Sequence, residues 1–564
     1  AFGGSADLGG SWKIDGYYQY SFTRQHQEMQ GLANLYNLAQ AVQVITDVFD
    51  LNKNGNTTEA ICLDANARAA GCVPINLYGL NADGSTKISQ AAVNYLQTNL
   101  IRDSKQEMQV GSLNLSGTLF NLPAGPLQVS VGAEYRTENS RDIFDPLTNQ
   151  AKNGYVQLLN TAGSFNVKEA YGEVVAPILH DTPFFDNLTL RGAYRISDYS
   201  TVGRFSAWNI GGEWSPIPDI RFRAVYAHAV RAPNIGELFA ASAAGIVTIS
   251  DPCQGVTLTS TGSTSTNCRA VPAILANIQA NGSLTLTTSD LNGVGGITAA
   301  NPNIKQETGK TLTFGMVINP RSISALRNLT FTADYYDIKL ENAISRLSTA
   351  TVLNKCYVQG LADFCQFVTR RTQPSGAYSI GSVEQVVRAL TNSGGSFTRG
   401  LDFTLNYHEA LFGGTASINA SWTHLLKNGV IPVTGDPYDN TKGELGTPTD
   451  KANVTLDWAN RSFGFTVNAE YLGPQMLDYE NFQTTYVLAN GSLPDRKYFT
   501  LKSTIYTDAQ IRFTGLKGVE FYVGAKNLFD VAFPSIYGGI GGFNPSSIYD
   551  PIGRRYYAGI RVKM

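Results

Sequence analysis

The sequence predicts an all-β fold: a transmembrane antiparallel β-barrel of about sixteen strands, with long loops on one side that carry short helices. Three observations lead there. Strand-length segments alternate apolar with charged side chains, long polar links alternate with short turn-rich ones, and the composition is poor in charge but rich in Tyr, Phe and Gly. Only 16% of the 564 residues are charged, and aromatics reach 11%, with 28 Tyr, 27 Phe and 55 Gly. Soluble domains carry about 25% charged residues. A large secreted β-solenoid or sandwich can share this composition, so the alternation has to decide. No apolar run reaches the roughly 18 residues of a membrane-spanning helix. The mean hydropathy of −0.12 hides in a barrel, where greasy and polar residues alternate.

Charge excludes one class of partner. With 43 Lys+Arg against 45 Asp+Glu, the net charge of −2 gives no support for nucleic-acid binding. The opening Ala1-Phe-Gly-Gly-Ser is neither basic nor followed by an apolar core, so the expected start lies after processing or inside a longer protein. The six cysteines fall into close pairs, Cys62 with Cys72, Cys253 with Cys268, and Cys356 with Cys365. Each pair lies in a separate long link, so local pairing is expected, and with it an oxidising compartment. No Cys-x-x-Cys occurs and only five His are present, which argues against a zinc site.

Taken in order, Gly10 to Gln27 reads as the first strand, followed by a long link at 28–105. Helix-spaced apolar residues mark Asn34–Phe49 and Ser89–Leu100 within it. Strands resume at Gln106–Asn121 and Leu127–Glu138, joined tightly through Leu122 to Pro126. In the second, Leu127, Val129, Val131, Ala133 and Tyr135 oppose Gln128, Ser130, Gly132, Glu134 and Arg136. A strand ending near 179 leads to Leu188–Tyr199, Arg204–Trp214 and Ile220–Arg231. Long links at 232–305 and 341–396 flank Glu307–Ile318 and Leu329–Leu340. Six strands follow, near 397–409, 414–427, 450–459, 463–472, 498–513 and 519–528, before the last one. In that last strand Tyr556, Ala558, Ile560 and Val562 oppose Tyr557, Gly559, Arg561 and Lys563. Long and short links alternate throughout. Counted back from a periplasmic C-terminus, all three cysteine-paired links fall outside.

Several motifs carry a resemblance. Asn527-Leu528-Phe529-Asp530 followed by Tyr549-Asp550-Pro551-Ile552-Gly553-Arg554-Arg555-Tyr556 resembles the C-terminal signature of TonB-dependent outer-membrane receptors. The segments Tyr226 to Phe239 (containing Arg231-Ala232-Pro233-Asn234), Asn301 to Glu307, Asp334 to Ile338 and Thr398 to Asp402 are similar to family strand patterns in order and spacing. One departure is the terminal Met564, where such barrels usually end in an aromatic residue. The resemblance implies a 22-stranded barrel with a globular N-terminal plug that contacts TonB. Neither plug nor TonB box is visible, so the expectation is that residues 1–564 are barrel domain, with the plug and first strands lying outside this sequence. The other reading is sixteen strands that close on themselves.

Candidate sites are few. Asp50-x-Asn52-x-Asn54-Gly55 matches the opening of a calcium loop, but Ile61 stands where the bidentate Glu is needed and Glu59 comes too early. An Asx-rich turn explains it as well. No nucleophile elbow or His-Glu-x-x-His motif occurs, and His228 sits among wall residues, so no enzyme, no catalytic residue and no cofactor is expected. Arg191, Arg195, Arg221, Arg223 and Arg561 fall on the charged face, where they either attract an anionic solute or balance carboxylates such as Glu134, Asp457 and Glu470. Tyr479, Phe482, Tyr537, Phe543 and Asn544, near the last two loops, are the candidate ligand contacts; loop packing is the alternative for each.

The leading functional expectation, implied by the resemblance, is TonB-energised uptake of a scarce solute, an iron–siderophore complex or another large nutrient, with outer-membrane lipid, TonB and the solute as partners. A passive sixteen-stranded channel and a surface adhesin-like barrel are the alternatives.

Overall fold

A computed structural model describes residues 1–478, 491–534 and 548–562. Among these described residues the wall is a meander of seventeen strands. They are β1 (Phe2–Gly9), β2 (Trp12–Ala33), β3 (Gln97–Leu122), β4 (Gly125–Phe144), β5 (Thr161–Thr182), β6 (Phe185–Tyr199), β7 (Gly203–Ile217), β8 (Ile220–Arg231) and β9 (Glu307–Ile318). The others are β10 (Leu329–Arg346), β11 (Val383–Leu411), β12 (Gly414–Ile431), β13 (Asp450–Ala459), β14 (Phe463–Leu472), β15 (Thr504–Leu516), β16 (Val519–Lys526) and β17 (Arg555–Val562). Each pairs antiparallel with the next in sequence, from β1 to β17. All sixteen expected strands are present. The additional one, β1, escapes a sequence reading because Gly3, Gly4 and Gly9 occupy three of its eight positions and supply no side-chain alternation.

The register confirms the two faces. Directly paired residues share a face, so Glu134↔Glu169, Glu169↔Ser197 and Tyr171↔Arg195 carry the charged side across β4, β5 and β6. On the opposite side Val131, Leu190, Ile210, Phe314 and Ile560 are exposed. Leaving large apolar groups uncovered in strand after strand suits a hydrocarbon surrounding. Short links use left-handed backbone, with Gly9 at φ 98° and Gly10 at φ 60° between β1 and β2.

Two expected helices are shorter than their periodicity suggests. Leu35–Ala41 is capped by Asn34, whose side chain accepts from the Tyr36 and Asn37 amides. It stops because β-branched Val44–Thr46 pairs instead with Ala60–Cys62. Gln90–Leu96, capped by Ser89, gives way to β3 at Gln97. The first non-wall link is therefore 34–96. The segment 498–503, expected as wall strand, is also different: Thr500–Leu501 pairs with Gln475–Met476 and the wall begins at Thr504.

The links 232–306 and 347–382 fold together into one cap with its own core. Ile249, Ile274, Ile278, Leu284, Val294, Val352 and Leu353 pack there, joined by Val383 and Val386 of β11. Helix Pro272–Asn281 has Pro at its first turn and ends at Gly282 with φ 83°, the preferred residues at both ends. Disulfides join Cys253 to Cys268 and Cys356 to Cys365 within the cap, and Cys62 to Cys72 in the first link. The 29-residue strand β11 links cap and wall. Its outer end pairs parallel with Val294–Ala299 and antiparallel with Val368–Arg370, while its lower end pairs with β10 and β12.

A buried ion pair sits inside this cap. Arg370 donates from Nη1 to Asp251 Oδ2 at 2.7 Å and from Nη2 to Oδ1 at 2.9 Å. Its Nε donates to the Tyr357 hydroxyl at 2.8 Å and its Nη1 also to the Gly381 carbonyl at 2.7 Å. Burial works against the Arg370 charge, but the Asp251 carboxylate holds it above its ordinary range. Asp290, 1% exposed, accepts from the Thr287 amide and from the amide and hydroxyl of Ser379, each at 2.8 Å. Burial would raise its pKa; these donors win and depress it.

Asp251→Asn leaves Arg370 buried without its counter-charge, a loss of about 3–5 kcal/mol. Hydrogen exchange should quicken at 249–254 and 368–371 but not in β2 to β5; unchanged exchange in the cap would refute the role given to this pair. For Asp290, a folded pKa below the unfolded one means its stabilisation is present above about pH 4 and is lost as pH falls through the depressed value. Pepsin cleavage of the cap should rise as pH drops from about 5 toward 2, and Asp290→Asn should flatten that rise.

Candidate functional site

Where the cap joins the wall, the chain after β8 turns back over the charged face. Arg231 organises this turn. Its Nη1 and Nη2 donate to Glu237 at 2.9 and 3.0 Å, and its Nε donates to Glu307 at 2.5 Å. Asn234 and Glu237 cap the five-residue helix Ile235–Phe239 reciprocally. Glu307, nearly buried, also accepts from the Ile344 amide at 2.6 Å. Asn301 completes the fastening, its amide donating to the Glu237 carbonyl and its side chain to the Leu390 carbonyl, both at 3.0 Å. The motifs Tyr226–Phe239 and Asn301–Glu307 therefore bind four wall strands and the cap into one joint.

The helix lies on β5 at Gly163, where a Cβ would collide with Phe239 and Ile235. Beside it opens a cavity of about 720 Å³, lined among others by Ser21, Met108, Arg136, Glu138, Phe165, Tyr199 and Asn234. Small-ligand sites span roughly 300–1,000 Å³. Phe165, Tyr199 and Phe205 form an aromatic run, with centroids 5.5 and 5.3 Å apart. Arg136 donates from Nη2 to the Tyr199 hydroxyl at 3.2 Å, and its Nε lies 3.1 Å from the Glu138 carboxylate without a hydrogen-bonding angle. An aromatic wall beside a guanidinium–carboxylate pair can stack a planar group and bond its polar edge.

Most cations on the charged face are already matched. Arg191 pairs with Glu213 at 2.6 Å, Arg195 with Glu169 at 2.8 Å and Glu134 at 3.9 Å, Arg223 with Asp334 at 2.7 Å, and Arg561 with Glu520 at 3.0 Å. Asp457 pairs with Arg512 at 3.3 Å and Glu470 with Lys451 at 3.0 Å. Balance by carboxylates, rather than a bare positive funnel, describes this face.

His228 points to the apolar side and stacks on Trp208 at 6.2 Å, as expected of a wall residue. In the loop at Asp50, the carboxylate accepts from the Asn54 and Gly55 amides at 2.9 and 3.0 Å, and the Asn52 and Asn54 side chains donate to Glu59. Among the described residues no three His, Cys, Asp or Glu are grouped to hold a metal ion. Tyr479, Phe482, Tyr537, Phe543 and Asn544 lie outside the described residues. Phe165 and Tyr199 were not singled out in the sequence, although both are aromatic residues breaking the polar side of their strands, a signal that could have found them.

The wall and its cap define a class: a many-stranded antiparallel barrel with a polar inner face and an apolar outer one. The chain belongs to the family described as TonB dependent receptor-like, β-barrel, whose model matches residues 2–528. It is a family of receptors and transporters rather than enzymes. Among solved structures it is similar to the siderophore receptor PirA from Acinetobacter baumannii, at 13% identity and TM-score 0.53, covering 98% of this chain and 60% of that one. It is also similar to the ferric enterobactin receptor PfeA, in a complex with BCV-L6, at 14% identity and TM-score 0.52, covering 99% of this chain and 69% of that one. A PfeA mutant from Pseudomonas aeruginosa in complex with enterobactin gives 13% identity and TM-score 0.51. At these identities the likeness is one of fold. The chain spans 60% of the PirA structure's length.

Gly163→Ala should lift the Ile235–Phe239 helix from β5 and raise hydrogen exchange at 232–240, with β8 itself unchanged. If exchange stays at the wild-type level, the glycine does not hold the cavity's edge.

Proposed function

We propose that this chain forms the wall and surface cap of an outer-membrane receptor that imports a large, scarce solute, an iron–siderophore complex being the best fit. The observation that carries this reading is the cavity at Phe165, Tyr199 and Arg136, which opens on the charged face beneath a folded, disulfide-braced cap. Its volume suits a compact chelate, and aromatic faces next to a guanidinium suit a planar, oxygen-rich ligand. Membership of the TonB-dependent receptor family supports energy coupling through TonB. The cap side faces the medium in this reading, and the disulfides fit that oxidising location. Ligands of PirA and PfeA, as their names state them, favour a ferric siderophore over a sugar.

The test is uptake of radiolabelled iron delivered as siderophore complexes, in cells carrying or lacking the gene, with and without TonB. Uptake that requires both supports the proposal. Uptake persisting without TonB points to a passive channel, and uptake unaffected by deleting the gene points to an adhesin-like role. Tyr199→Ala and Arg136→Ala in the full-length receptor should each weaken solute binding about tenfold, equivalent to roughly 1.4 kcal/mol.

A further inference from the structure

A second cluster of charge lies on the apolar face of the wall, near the cap, and the reading above does not use it. The register places it there. His228 pairs with Lys310, Lys310 with Lys339, and Lys339 with Phe397, while Asp337 pairs with Arg399 and Arg399 with Lys427. Directly paired residues share a face, so all of these stand on the side that carries Leu312, Phe314, Tyr335, Phe403 and Trp422. Lys310, Lys339, Arg399 and Lys427 line one cavity of about 360 Å³ with Asp337, Tyr226, Leu312 and Phe397.

The charges do not balance. Glu341 is shared by Lys310 at 2.9 Å and Lys339 at 2.7 Å, and Asp337 is taken by Arg399. Lys427 has no ion pair among the described residues; it lies 4.4 Å from the Phe397 ring centroid and 4.7 Å from that of Tyr438. Four cations thus face two carboxylates. The next carboxylate on that face, Asp450, is occupied by His424 at 2.7 Å and by the Trp422 indole at 3.0 Å.

We infer that this cluster binds the phosphate of an anionic lipid headgroup in the outer leaflet. The inference rests on the outer-membrane reading proposed above. Lys and Arg together supply several charged donors, which suits a phosphate oxygen set. Aromatic residues interleave with the cations, the arrangement expected at a membrane interface. Immediately toward the short-turn side the face becomes Leu312, Phe314, Leu401 and Phe403, against which acyl chains pack. A free phosphate ion uses the cations but not that apolar continuation; a lipid uses both. Juxtaposed basic residues at headgroup depth attract anionic lipids in general.

The test is native mass spectrometry of the full-length receptor with phosphatidylglycerol or phosphatidylcholine added, and with inorganic phosphate as competitor. The wild type should retain phosphatidylglycerol at least about fivefold better than phosphatidylcholine. Lys339→Gln/Lys427→Gln should bring the two to parity, and Lys427→Gln alone, which breaks no ion pair, should lower the preference part way. Arg204→Gln, which removes a charge elsewhere on the same face, should leave it intact. Circular dichroism identifies folded variants. An undiminished preference in both variants overturns the inference, as does its absence in the wild type or complete displacement by millimolar phosphate. Insertion into phosphatidylcholine vesicles separates the two readings: a receptor that inserts without lipid preference removes only this inference, whereas one that does not insert removes both.

Discussion

Every strand of this wall depends on its neighbours for its backbone hydrogen bonds. An N–H or carbonyl facing hydrocarbon without a partner costs several kcal/mol, so a wall with an apolar outer face holds only as an unbroken ladder. That requirement explains the sequential pairing from β1 to β17, the short links on one side and the freedom to elaborate the other. Once the backbone is satisfied by neighbours, side chains are free to divide by face. The apolar side carries groups such as Ile210 and Ile560, while the polar side is knit by cross-strand pairs such as Arg223–Asp334.

The family motifs acquire a physical meaning from these contacts. Arg231, Asn234, Glu237 and Glu307 form one closed set of charge-assisted hydrogen bonds at the seam between wall and cap. The C-terminal motif does the same between β16 and β17. Asn527, in left-handed conformation with φ 47°, bonds Val531 through both of its side-chain polar atoms, and Asp530 accepts from the Arg554 amide at 3.0 Å. Tyr549 is buried against Leu472, Leu501 and Tyr506. None of these residues faces the cavity at Tyr199 except Arg231 and Asn234, so the resemblance marks chiefly how the barrel is fastened.

The wall was legible in the sequence because period-2 alternation is a local signal. Leu127–Glu138 and Val519–Lys526 declare their faces without knowledge of any neighbour. β1 lacked side chains to alternate, and the helices at Leu35 and Gln90 ended earlier than their periodicity because strand pairing overrode it. The cap was not legible as a unit. Its core joins Ile274 and Val352, from different links, to Val386 of β11, and each link read alone looks like a polar loop. The cavity was missed for the same reason, since Phe165, Tyr199 and Asn234 meet only when three segments converge.

The strand β11 gives the cap a mechanical character. Seven of its residues, Val383 to Ala389, belong to the cap sheet, and the same covalent segment continues into the wall at β10 and β12. An extended strand is nearly inextensible, at about 3.3 Å per residue. The cap is therefore carried on a strut rather than a hinge. A load applied to it travels as shear along β11 into the ladder of β10 and β12 rather than being lost at a flexible joint.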